Sequence, residues 1–80
     1  METVRDILEK FRDKPFSVVV YSDSNDIHFD CRKLSEFDLD NVQKTSYNYE
    51  VMKMPVKSWF PDVRELRILV KALILIEDLL

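Results

Sequence analysis

The chain has no glycine among its 80 residues. Any backbone position needing positive φ would therefore fall to Asn or Asp, the next most tolerant types. The same absence excludes the glycine-rich phosphate cradles of the P-loop and of the dinucleotide fingerprint. Cysteine is represented only by Cys31, so no intrachain disulfide can form and a reducing compartment is expected. With one histidine as well, His and Cys cannot by themselves complete a zinc site. Long apolar runs are missing too. The most apolar stretch, Leu66 to Ile76, is broken by Arg67 and Lys71 and falls short of the roughly 20 residues of a membrane span. The opening METVRDILEK is charged from its second residue and lacks the apolar core of a signal peptide. A cytoplasmic protein, away from membranes, is expected.

What is present describes one small domain. Hydrophobic residues are 46% and charged residues 34%, a globular balance. A domain of this size has little room for a buried substrate pocket, and no catalytic motif is recognisable. The net charge of -3 argues against nucleic acid as the direct partner, because phosphate binding needs clustered Lys and Arg.

Residues 3–13 carry Val4, Ile7, Leu8 and Phe11 at helical spacing, with Thr3 and Asp6 as a short capping box. Lys14-Pro15 ends that helix. FSVVVYS is a β-branched and aromatic strand. The cluster Asp23-Ser24-Asn25-Asp26 makes a turn with Asn25 as its left-handed residue, and the alternation of Ile27, Phe29 and Cys31 with Asp26, His28 and Asp30 gives a hairpin. Residues 34–42 are irregular or form a short helical turn. A third strand spans Tyr47 to Lys57, with a bulge near Val51 and an edge at Pro55. Residues 62–80 have a helical arrangement of apolar residues, started by Pro61, Asp62 and Glu65. The fold expected is α+β: an N-terminal helix, a small antiparallel sheet of about three strands and a C-terminal helix. The alternative makes ELRILVKA a fourth strand, hairpinned to the third through FPDVR.

Asp26, His28 and Asp30 alternate, so a strand would point all three the same way, and with Asp23 they resemble a divalent-metal set. The simpler reading is the solvated face of the hairpin, which the alternation requires in any case, and no metal or other cofactor is assigned. His28 and Cys31 fall on opposite faces and make a poor base and nucleophile, so Cys31 is read as a core residue. Asp62 with Glu65-Leu66-Arg67 only loosely matches a nuclease carboxylate motif, with short spacing and Arg67 where a lysine is expected. Helix-start chemistry explains it better, and no catalytic residue is assigned.

Charge placement is the most informative feature. Residues 23–40 carry Asp23, Asp26, Asp30, Glu36, Asp38 and Asp40 against Arg32 and Lys33, whereas residues 1–22 are balanced and residues 41–80 are slightly basic. Such a surface attracts a basic partner and repels nucleic acid. Trp59 and Phe60, beside Pro61, are the aromatic residues best placed to form an exposed contact patch.

The opening RDILEKFRDKPFSVVVYSDSNDI resembles the starts of small phage and prophage proteins that combine a short helix, a hairpin and an Asp-Ser-Asn turn. In layout it is similar to some small anti-CRISPR inhibitors of RNA-guided nucleases, over about the first third of the chain. The resemblance implies an acidic, non-enzymatic inhibitor in the host cytosol that occupies a nuclease's DNA-binding surface, its carboxylates standing in for phosphates. The function expected is therefore a protein-binding module directed at a basic host protein, such as a nucleic-acid-handling enzyme. Its contact residues would be Asp23, Asp26, Asp30, Glu36, Asp38, Asp40, Trp59 and Phe60. The alternative is a homo-oligomeric structural or assembly protein, favoured by an edge strand near Pro55 and the apolar ending Leu79-Leu80.

Overall fold

The computed structural model describes residues 2–71. Helix α1 (Val4–Lys10) begins where the sequence places it. The Thr3 N–H donates to Asp6 Oδ2 at 2.9 Å and the Asp6 N–H returns to Thr3 Oγ1 at 3.4 Å, so both halves of the capping box are made. Strand β1 (Ser17–Tyr21) and strand β2 (Asp26–Ile27) form the expected hairpin, antiparallel with Val20 opposite Ile27. Two 3-10 turns follow, Leu34–Glu36 and Leu39–Asn41.

The next element differs from expectation. Tyr47 opens a helix, α2 (Tyr47–Met52), and the third strand, β3 (Val56–Pro61), starts only beyond Pro55. Ser46 caps α2 by accepting the Tyr49 N–H at 3.2 Å, and Val51 and Met52 are its buried residues. The change of parity at Val51, read as a bulge in a strand, is a helical face. The sheet irregularity falls instead between Val56 and Ser58.

The C-terminal helix is also corrected over the described residues. Strand β4 (Glu65–Val70) pairs antiparallel with β3, as the alternative reading had it. Asp62 does not start a helix: its N–H donates to the Glu65 carbonyl at 2.7 Å and closes a turn. The expectation for residues 72–80, including Leu79-Leu80, lies outside the described residues.

The sheet has four strands in the order β2-β1-β4-β3, and it is mixed because β1 and β4 run parallel. Its inner face supplies Val18, Val20, Leu66, Ile68 and Val70, all at most 5% exposed. Against them pack Val4, Ile7 and Leu8 of α1, Val51 and Met52 of α2, and Leu34 and Leu39 from the 3-10 turns. Each such side chain contributes on the order of 1.5–3 kcal/mol by leaving water. Among the described residues no helix is long and apolar enough to cross a membrane.

Candidate functional site

The acidic hairpin turns over Asp23 and Ser24, closed by Ser22 and Asn25 at its two ends. The Ser22 N–H donates to the Asn25 carbonyl at 2.7 Å and the Asn25 N–H donates to Ser22 Oγ at 3.1 Å. No described residue has positive φ, so Asn25 is not left-handed and the chain needs no glycine here.

Beyond Ile27 the hairpin departs from its register. Continued, that register would set Val18 opposite Phe29. Instead the Val18 N–H donates to the Cys31 carbonyl at 3.1 Å, and residues 28–30 loop out from the sheet edge. The burial alternation survives the break. Phe29 and Cys31 are buried, while Asp26, His28 and Asp30 are exposed. Phe29 packs on Phe37 with centroids 5.6 Å apart.

Helix α2 holds the loop. The Asp30 N–H donates to Asn48 Oδ1 at 3.1 Å and Asn48 Nδ2 donates to the Asp30 carbonyl at 3.2 Å, so one side-chain amide does the work of a strand neighbour. The Tyr47 ring lies 6.0 Å from that of His28. Where the loop parts from β1 it leaves an open cleft of about 400 Å³, lined by Val18, Val19, Val20, Asp26, Ile27, His28 and Phe29.

The six acidic residues singled out by sequence do not act alike. Asp23 pairs with Lys57 at 3.0 Å, and Asp40 lies 3.3 Å from Arg12 and 3.8 Å from Arg5. Glu36 pairs with Lys33 at 3.3 Å, and Asp38 accepts the Asp40 N–H and Asn41 Nδ2 within the second 3-10 turn. Three bases from outside the segment, Arg5, Arg12 and Lys57, thus offset part of its charge. Asp26 and Asp30 carry no ion pair among the described residues.

Among the described residues no group of three His, Cys, Asp or Glu is placed to hold a metal ion. Cys31 has a thiol pushed up to about 11, first by burial and then by the charge of Asp30, so it stays protonated near neutral pH.

Trp59 and Phe60 belong to opposite faces of β3. The Trp59 ring meets Phe11 edge-on at 5.3 Å with Lys10 Nζ 5.4 Å from its centroid, on the side of α1. Phe60 lies opposite Arg67 in the ladder, so the two aromatics, both exposed as expected, lie on separate faces. Sequence reasoning missed Asn48 and the place of Tyr47 beside His28 because it read α2 as strand; Ser46 followed by Glu50 was the available helix-start signal. It also missed Lys57, whose partner is 34 positions away.

No protein-family model, curated protein or solved structure matches this chain.

Proposed function

We propose that the protein is a non-enzymatic binding module that captures a basic protein partner through the outward loop of the first hairpin. The observation that carries this is the placing of Asp26 and Asp30 at the sheet edge, exposed and without ion pairs among the described residues, beside an apolar cleft. Exposed carboxylates there raise the rate of approach of a cationic surface, and the apolar wall supplies contact area. Asp23, Glu36, Asp38 and Asp40, already engaged with neighbours, contribute less to this attraction. In keeping with the resemblance of the opening segment, the partner is a host nuclease or other defence protein. Inhibition is by steric occupation, and the protein is of phage or mobile-element origin. The size of the chain and the lack of a recognisable catalytic motif in its sequence support a non-enzymatic role.

Affinity capture by the tagged full chain from a bacterial lysate, at low and at high salt, tests the reading. A basic nucleic-acid-handling protein held at low salt and released at high salt is the expected result. Retention of nothing overturns it.

The second reading, a homo-oligomeric assembly protein, is favoured by β3 being an outer strand with Phe60 exposed. Pro55 and Pro61 weaken it, since neither can donate to an added strand. Sedimentation equilibrium decides it, with a monomer at high concentration the expected result.

A further inference from the structure

The cleft beside β1 has a chemistry of its own. It is lined by Val18–Val20, Ile27 and Phe29, of which Val18, Val20 and Phe29 are buried and Val19 and Ile27 offer accessible apolar surface, and its two polar side chains are Asp26 and His28. That combination fits a ligand group with an apolar stem and a cationic, planar end. We propose that the cleft receives an arginine side chain of the basic protein partner, the guanidinium on the Asp26 carboxylate and the methylene stem along Val19 and Ile27. This rests on the binding-module reading above and specifies its site.

Charge complementarity selects the cation. Asp26 has no ion pair among the described residues, and the bases nearest to it in sequence do not supply one: Lys33 is engaged by Glu36, and Arg32 pairs with neither Asp26 nor Asp30. A phosphate or an acidic peptide would meet the same carboxylate unfavourably. Arginine is favoured over lysine because its planar head is weakly hydrated, donates two parallel N–H groups to one carboxylate and lies flat on a ring such as His28. The volume of about 400 Å³ exceeds one side chain and is open to solvent, so flanking backbone of the partner enters with it. The loop is held in place from behind by the paired bonds from Asn48, which spares the partner the cost of ordering it.

Titration of the ¹⁵N-labelled full chain with acetyl-Val-Arg-Val-amide tests the site by NMR. The expected result is amide shifts confined to Val18–Val20 and Asp26–Phe29. Affinity should fall by at least about threefold when citrulline replaces arginine in the peptide, and likewise in the Asp26→Asn protein. Asp13→Asn, exposed and away from the cleft lining, should leave the titration unchanged. No shifts, shifts elsewhere, or equal shifts with the citrulline peptide would overturn the proposal. The same shifts on raising protein concentration alone would overturn it in favour of a second copy as occupant. A lysate partner retained undiminished by Asp26→Asn would remove the cleft and leave the binding module standing. Capture of nothing by the unaltered chain would remove the module, whatever the peptide does.

Discussion

The β1–β2 hairpin keeps its ladder for two residue pairs and the β3–β4 hairpin for five, although both join an inner strand to an outer one through a short polar turn. Strand propensity does not explain the difference. The outer strand of the long ladder, VKSWFP, contains a proline and follows another, while DIHFDC after the first turn alternates well. What differs is where the core needs side chains. Phe29 must reach Phe37 and Cys31 must return to Val18, so the chain leaves the sheet at His28. The second hairpin has no such competing demand. Leu66, Ile68 and Val70 of β4 bury themselves, and β3 only has to cover one side of that strand. Outer strands here are as long as the core allows. The short ladder leaves a polar loop and a cleft, and the long one leaves an exposed aromatic edge.

The largest test of this contrast compares the strands by truncation. Ile68→Ala, at a position with no exposure, should cost about 3–4 kcal/mol, a large share of the stability of a domain this size. Ile27→Ala, on the half-buried short ladder, should cost about 1 kcal/mol. Urea unfolding measures both, and equal losses would break the distinction between the hairpins.

A second test asks whether the segment after the short ladder is truly anchored inward. With its thiol pushed up to about 11, Cys31 in the folded chain should have a thiolate population near pH 8 about a hundredfold below that of an unfolded chain. Labelling by a disulfide reagent should therefore be slow until urea is added. The linkage has a definite sign. The unfolded chain loses its proton near the ordinary value of 9.0 and the folded chain only near 11, so stability falls as pH rises across that window. Prompt labelling of the native protein would show that the loop opens freely.

Asn48→Ala should cost about 1–2 kcal/mol, because it removes both bonds to the Asp30 backbone. Amide exchange at Asp30 should accelerate in this variant while Ile68 stays protected. The smallest effect belongs to the contact joining the two hairpins, Lys57 with Asp23. The pair is exposed, so Asp23→Asn should change stability by no more than about 0.5 kcal/mol, and less in high salt.

Local chemistry was legible in the sequence. Thr3 and Asp6 mark the start of α1, the valines mark β1, and the parity of residues 26–31 gives their burial even where the ladder stops. The errors came where distant contacts decide. Tyr47-Asn48-Tyr49 has strand-like composition but folds as helix, because Val51 and Met52 reach the core together from one helical face. Residues 65–70 satisfy both helical and alternating patterns. Pairing with β1 and β3 on either side makes them strand, and no local window contains that information. The candidate site was half legible for the same reason. Asp26 and Asp30 were identified correctly as exposed, but Asp40 could not be known to lie against Arg5 and Arg12 until the fold brought α1 to it.

The parallel pairing of β1 with β4 has a consequence for how the protein is made. Ser17 and Glu65 stand side by side in the sheet, yet about 48 residues of chain separate them. During translation the valines of β1 emerge early, while the strand that shields them along their whole length arrives only when residue 70 has been added. Until then Phe16-Ser17-Val18-Val19-Val20-Tyr21, a segment without charge or proline, the composition that nascent chains most readily aggregate through, has one edge with no partner. Completion of the sheet is thereby a late step, since β1 has no partner along its whole length until β4 has left the ribosome.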